Sequence, residues 1–433
     1  MPNIVNVVVR QQVAGAPNTL QQTGALISQG ATNLTTGTTQ LLTQASDLTP
    51  LLKAAVNISG ITWSAGLATV TTTSAHGIPS GDTIKVVISG VNPTGYNGTV
   101  NATYVSSTSF SYPLASNPGN YVSGGAVILE DSQELYAMVQ TFFAQGKTLG
   151  VYILELGAGT PAQGVTSLTA YIANPTIQFY SYLLPYAWDT EPTAVSLARA
   201  NNGTTAKIYF YVSTTLVTYT AWNGIKSVFA VVPNPAAPVT EFSAAAFFWV
   251  TLSYNPSAAN LASPLEYTYI YGVTDYSSVL TNTQETQLLA AGVNYVGTGA
   301  QGGISNTLIY GGTFMDLNPF NYWYAVDWLS INVAESLAGA IINGSNLSTN
   351  PLYYNQAGIN TLQKVAQATV NNGISFGLIL SPATVTAVPF STYVTENPGD
   401  YATGAYNGLA CTFVPQRGFS EITIYLTASN IPT

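Results

Sequence analysis

The sequence predicts an α/β (α+β) multi-domain protein: an open α/β core, strand-like arms at both ends, and a small all-β module inserted into the core. Three observations carry this prediction. Helical and strand signals alternate over residues 165–275, the order of an open α/β layer. Both termini carry runs rich in β-branched residues, which favour extended backbone. The stretch Ile58–Val127 breaks into short alternating runs separated by turn residues, the pattern of a small all-β unit.

Taken in chain order, Ile4, Val5, Val7, Val8 and Val9 flank Asn6 and end at Arg10, which reads as a strand. Gln11–Thr43 holds Gly15-Ala16-Pro17-Asn18 and repeated Thr, Gly and Gln, with one short β-like run, Thr23–Ser28. This reads as a mobile leash behind the first strand. Asp47 opens a short helical signal over Leu48–Val56. The β module follows, with runs Ile61–Trp63, Ala68–Thr72, Thr83–Ile88, Gly98–Tyr104 and Ser109–Tyr112, punctuated by Pro79-Ser80-Gly81 and Pro93-Thr94-Gly95. Ser132 opens a stronger helix, in which Leu135, Met138, Val139, Phe142 and Phe143 recur at helical spacing and Gly146 fits a C-cap. Val151–Glu155 reads as a buried strand.

Further strands are expected over Ile177–Leu184, Lys207–Val212 and Ser227–Val232, and helices over Thr190–Ala200 and Glu241–Leu252. Two helices stand out beyond them, Val326–Ile342 and Tyr354–Asn371, followed by strands Ile374–Leu380 and Leu409–Val414. In the last run Ile422, Ile424 and Leu426 alternate with Thr423, Tyr425 and Thr427, a half-buried strand near the end. The expected organisation is therefore an N-terminal arm and start of the core (1–57), the inserted module (58–128), the α/β core (129–325) and a C-terminal α/β domain with its terminal strand (326–433).

Only 6% of the 433 residues are charged, against roughly 25% in an ordinary soluble domain. With 47% hydrophobic residues the chain has enough apolar surface to fold. Its outside must then be polar but nearly uncharged, so identical copies can pack closely with little repulsion. A net charge of −9 without any Lys/Arg cluster points away from nucleic acid, which needs concentrated cations. Apolar runs such as Ala244–Val250 fall short of the ~18 residues that span a bilayer, so no membrane insertion is expected. The start, Met1-Pro2-Asn3-Ile4-Val5-Asn6, has neither a basic leader nor a long apolar stretch, and export by the secretory route is not expected.

Candidate chemistry is sparse. Cys411 is the single cysteine, which rules out an internal disulfide and a cysteine zinc site; a buried small hydrophobe is the expected role. His76 is the single histidine and lies in the turn-like Ser74–Pro79; one imidazole cannot supply two metal ligands. Gly297-Thr298-Gly299-Ala300-Gln301-Gly302 follows the strand-like Val293–Val296 and precedes Asp316, as in a dinucleotide fingerprint. That fingerprint needs a helix at its second glycine, whereas Ile304–Gly312 reads as a strand, so no cofactor is expected. Asp131, Glu134, Asp189, Glu191, Asp316 and Asp327 are the carboxylates that could pair for glycoside hydrolysis, although Asp189 stands where a helix cap is expected. The composition favours a structural protein over an enzyme.

Leu135–Gly146 with Val151–Glu155 resembles the tail sheath proteins of contractile phages, in which a helix ends in Phe-Phe-x-Asn/Gln-Gly before a short core strand; here the residues are Phe142-Phe143-Ala144-Gln145-Gly146. The C-terminal part is similar in arrangement: a long helix around Trp328–Ile342, a variable stretch with Asn350-Pro351, a second helix over Gly358–Asn371 ending before Gly373, then strands. Two features depart from that family. The Arg-rich start of the long helix is replaced by Ala325-Val326-Asp327-Trp328, and the 58–127 module has no counterpart in the family core.

The resemblance implies a virion subunit, assembled in the host cytoplasm, that polymerises helically in stacked six-fold rings around a tail tube protein and meets baseplate and tail terminator proteins. It implies further that the arms, Ile4, Val5, Val7, Val8 and Val9 at one end and Ile422, Thr423, Ile424, Tyr425 and Leu426 at the other, add strands to sheets of neighbouring subunits. Contraction then drives the tube through the host envelope for genome ejection, with no nucleotide or cofactor. Competing readings are another β-rich virion or surface assembly protein, such as a fibre or layer subunit, and a carbohydrate-active α/β enzyme.

Overall fold

The computed structural model describes residues 19–146, 149–202, 207–257, 262–299, 303–346 and 351–419. Both predicted arms, Ile4–Val9 and Ile422–Leu426, lie outside the described residues. The elements in order are β1 (Gly24–Ser28), β2 (Thr39–Leu42), β3 (Val56–Ser64), β4 (Leu67–Thr72), β5 (Thr83–Asn92), β6 (Gly98–Ser106), β7 (Ser109–Pro113), β8 (Ser123–Leu129), α1 (Glu130–Ala144), β9 (Val151–Glu155), α2 (Pro161–Ala173), β10 (Ser181–Leu183), α3 (Pro192–Ala200), β11 (Tyr209–Ser213), β12 (Val228–Val232), α4 (Ser243–Leu252), α5 (Asn282–Ala290), β13 (Asn294–Gly299), β14 (Ile304–Tyr310), α6 (Phe320–Asn346), α7 (Gln356–Ser375), β15 (Thr384–Ala387), α8 (Phe390–Glu396), α9 (Pro398–Thr403) and β16 (Leu409–Thr412). They fall into two compact units. The larger covers Leu20–Tyr254 and Pro264–Phe320; the smaller is built, among the described residues, from 255–257, 262–263 and 321–419.

An eight-stranded sheet in the order β14-β13-β12-β11-β10-β1-β9-β2 organises the larger unit. The strands from β13 across to β9 run parallel, and β14 and β2 close the two edges antiparallel. Parallel strands covered on both faces become continuous apolar runs. Thus Gly-Ala-Leu-Ile-Ser of β1 and Val-Phe-Ala-Val-Val of β12 are buried at every position. Ala25, Ile27, Leu154, Tyr182, Phe210 and Val212 face one core with α2, α3 and α5. On the opposite face Tyr211 stacks on Phe229, meets Phe248 of α4 edge-on, and donates to Thr251 Oγ1 at 2.7 Å. Gly24 lets α4 lie close: a Cβ there would stand 2.5 Å from Leu252 Cδ1 and 2.6 Å from Phe248.

This placement corrects the leash reading of Gln11–Thr43, of which only the part before residue 19 is undescribed. β1 sits between β9 and β10 in the middle of the sheet, and β2 forms its edge. Five consecutive small and apolar residues are enough for a strand that neighbours bury on both faces. The helix expected over Leu48–Val56 is also absent. A single 3₁₀ turn, Ala45–Leu48, precedes Pro50, and β-branched Val56 begins β3.

β3 to β8 close into a six-stranded antiparallel barrel, with β8 returning to pair with both β3 and β5. Its interior holds Ile61, Val70, Val86, Ile88, Ala102, Phe110, Tyr112 and Val127. His76 lies in the turn segment between β4 and β5, as expected, and its ring is buried against the barrel core, 5% exposed. Its Nε2 lies 2.7 Å from Ser106 O, and its Nδ1 accepts from Ile78 N at 3.1 Å. Phe110 packs edge-on against the ring. The final barrel strand runs without a loop into α1.

The smaller unit is a helical hairpin with a β ribbon. Trp328 of α6 packs edge-on with Phe376 and donates Nε1–H to Pro256 O at 2.9 Å, while Thr369 of α7 donates to Ser336 of α6. Among the described residues α6 is the helix long and apolar enough to cross a bilayer, by length and composition. The strand expected over Ile374–Leu380 is replaced at its start by the last turn of α7, which runs to Ser375; Ile379 then makes an isolated bridge to Pro415.

Candidate functional site: an open strand edge

β15 and β16 form a two-stranded antiparallel ribbon with Val385 opposite Cys411 and Thr386 opposite Ala410. Bonds from Leu380 N to Val414 O, from Gln416 N to Leu378 O and from Val388 N to Gly408 O extend the pairing beyond the strands. A two-stranded ribbon has two outer edges, and each exposes backbone donors and acceptors unless something covers them. α7 covers the edge of β15. Gln367 Oε1 accepts from Val385 N at 2.8 Å, Gln367 Nε2 donates to Ala383 O at 3.0 Å, and Gln363 Nε2 donates to Val385 O at 2.9 Å. Two glutamines one helical turn apart thus take the place of a neighbouring strand.

The edge of β16 is different. Val385 turns its N–H and C=O away from β16, so its cross-strand partner Cys411 turns its own pair away from β15. Among the described residues no strand pairs there, and Ala410, Cys411 and Thr412 are exposed. Cys411 therefore corrects the expectation of a buried thiol. α7 packs over β15, where Val385 is buried, whereas its cross-strand partner Cys411 is exposed.

The carboxylates considered for catalysis do not converge. Asp131 and Glu134 share α1, but Asp189 accepts from Trp222 Nε1 at 2.8 Å and from Thr218 Oγ1 at 2.5 Å. Glu191, rather than Asp189, caps α3, accepting from Thr193 N. Asp316 accepts from Asn318 N, and Asp327 is buried within α6. Gly297 and Gly299 lie in β13, and β14 pairs back on it with Ile304 opposite Gly299, so a β hairpin occupies the place of the helix a dinucleotide fingerprint needs. No group of three or more His, Cys, Asp or Glu fit to hold a metal occurs among the described residues.

A further carboxylate, which the sequence reading passed over, accepts five hydrogen bonds in the larger unit. Glu155, 1% exposed at the end of β9, accepts from Ser28 Oγ, Thr32 Oγ1 and the backbone N–H groups of Gly30, Thr32 and Gly157, at 2.7–3.2 Å. Gly30 is there by necessity: its φ is +97°, and a Cβ would stand 2.5 Å from that of Ala158. Beside Glu155, Asp131 accepts from Gln29 N at 2.7 Å. Burial, and then the Glu155 charge, push the Asp131 carboxyl up to about 7. Glu134 accepts from Tyr186 N, and burial followed by the Asp131 charge raises it well above the ordinary carboxylate range.

The fold and its open edge define the class: an α/β protein with an inserted six-stranded barrel and a helical hairpin that carries a half-covered β ribbon. No protein-family model matches the sequence, and no curated protein matches it significantly. Solved structures do. A chain of the anti-feeding prophage baseplate in its contracted state is similar at 11% identity with a TM-score of 0.56, covering 99% of this chain and 98% of that one. This chain thus has that chain's fold over almost its whole length. The sheath tail protein of Listeria innocua has 12% identity and a TM-score of 0.43, over 87% of this chain and 90% of its own. That of Desulfitobacterium hafniense has 13% identity and a TM-score of 0.45, over 95% of this chain and all of its own.

Proposed function

We propose that this protein is a structural subunit of the sheath of a contractile tail or tail-like particle, joined to its neighbours by strand addition at the open edge of β16. The observation that carries this reading is the asymmetry of the ribbon: α7 glutamines cover one edge, and the other faces solvent with Cys411 on it. The β-branched run Ile4–Val9 and the alternating run Ile422–Leu426 are strand-like segments of the kind such an edge accepts. A five-residue arm held by backbone hydrogen bonds, each contributing about 1 kcal/mol net, links partners without charge. The fold shared with a component of a contracted baseplate assembly, and the Phe142-Phe143-Ala144-Gln145-Gly146 helix end, support the same reading. In it the copies wind helically in stacked six-fold rings around a tube, meet baseplate and terminator proteins, and on triggering move as rigid bodies while the paired arms persist and the tube is driven through an envelope.

Cys411 makes the test direct, because it is the single cysteine of the chain. A cysteine introduced at Ile424 or Val7 is expected to form intermolecular disulfides with Cys411 on assembly, and Cys411→Ser is expected to abolish them. Deletion of residues 1–10 or 420–433 is expected to leave a folded body that forms no tubes under negative-stain microscopy. Normal tubes from both truncations would overturn the strand-addition reading.

A further inference from the structure

The barrel and the α/β layer of the larger unit enclose a cleft of about 230 Å³. One wall is barrel: Thr83, Ile84 and Lys85 of β5, Asn101 of β6 and Leu129 of β8. The other is core, and Asp131 and Glu134 stand in it. The covalent joints between the walls are the segment before β3 and the direct passage of β8 into α1, so the two carboxylates lie within two turns of a hinge. Among the described residues Ala158 packs against the barrel core from the other wall, and the polar ties that cross near the joint are exposed. Lys85 Nζ is 3.4 Å from Glu130, and Gln163 Nε2 donates to Asp82 at 3.3 Å.

The charge around the pair is one-sided. Glu155 approaches from the end of β9, Glu130 precedes Asp131 on α1, and Asp47 lies in the 3₁₀ turn packed on α1, its carboxylate turned to Thr43 and Gln44. Tyr186 faces Glu134, with Glu241 behind it. Lys85 is the cation on β5; β1, β8 and α4, which also pack on α1, contribute no titratable side chain. Two further negative charges in this cleft would meet two carboxylates and a single ammonium group.

We propose that Asp131 and Glu134 form a proton-operated latch on the inserted barrel: protonated, they let the barrel wall close on the core wall, and ionised, they hold the cleft open with water. The sign follows from proton linkage. In the closed cleft both carboxyls hold their protons to higher pH than in water, so closure is complete below the ordinary carboxylate range and begins to be lost as pH rises through about 7, where Asp131 ionises. The latch rests on the cleft alone and stands or falls independently of strand addition at β16.

Amide hydrogen exchange on the full chain tests it, with labelling times corrected for the intrinsic pH dependence of exchange. Peptides covering 79–88, 126–135 and 157–165 are expected to be roughly 10-fold better protected at pH about 5 than at pH about 8, the full linkage effect being discounted for solvent screening. The double variant Asp131→Asn, Glu134→Gln is expected to keep the low-pH protection at both values. Should it fail to fold, Glu134→Gln alone is expected to cut the difference to about 3-fold. Equal protection of the wild type at both pH values, or a full pH difference in whichever variant folds, would overturn the latch.

Discussion

Among single residues, Glu155 shows how a carboxylate can be structural in a chain with few of them. It gathers three backbone N–H groups and two hydroxyls from the ends of β1 and β9, and no neutral side chain of its size accepts at every one of these positions. Glu155→Gln turns an amide NH₂ toward donors and is expected to cost about 2 kcal/mol. Glu155→Leu leaves buried N–H groups unpaired and is expected to cost about 4 kcal/mol or more. The midpoint of urea unfolding reads both, and a wild-type midpoint for Glu155→Leu would show that water replaces the lost acceptor. Glu155 was legible as the last residue of a strand, but its role was not: all its partners but Gly157 lie at 28–32, more than a hundred residues away. His76 was legible as a residue of a turn, but its burial was not, for a related reason. A short turn-like segment reveals its conformation, but not that it folds inward to hydrogen-bond the β6–β7 hairpin.

At the scale of elements, the periodic helices were easiest to read. α1, α4 and α7 appear close to their expected ranges because an amphipathic or wholly apolar repeat longer than two turns has few other solutions. The errors fall where a short apolar run fits two structures. Ile374–Leu380 alternates like a strand, yet its first residues complete α7, since they follow a helix already held by Gly373 against Leu329 and Trp328. β8 went unread because Gly124 and Gly125 dilute its β signal. The role of Gln363 and Gln367 was not legible within the helix expected over Tyr354–Asn371; only the packing of α7 on β15 gives them an edge to cover. Their joint replacement by alanine removes three hydrogen bonds worth about 1 kcal/mol each. The expected result is a destabilisation of about 2–3 kcal/mol with more off-register aggregation, followed by urea unfolding and light scattering; an unchanged midpoint and clear solutions would mean that β15 needs no cover.

The whole molecule carries nine Lys or Arg and eighteen Asp or Glu residues in 433, and this scarcity, legible at once, bears directly on assembly. The discontinuous smaller unit, in which 255–257 joins 321–419, was not legible, because the contact of Trp328 with Pro256 spans a long stretch of chain. What composition does fix is the kind of force that can join copies. With so few charges, long-range attraction and repulsion are both weak, and association must rest on backbone pairing and apolar contact. Raising salt from about 0.1 M to about 1 M shortens the Debye length from ~10 Å to ~3 Å, which dissolves assemblies held by surface ion pairs. Backbone hydrogen bonds are untouched by that screening, and apolar burial is if anything strengthened by excluded salts. Tubes of this protein are therefore expected to form at about the same protein concentration across that range, as read by light scattering and confirmed by microscopy. Disassembly at about 1 M sodium chloride would place charge pairs, rather than the edge of β16, at the centre of the contact between copies.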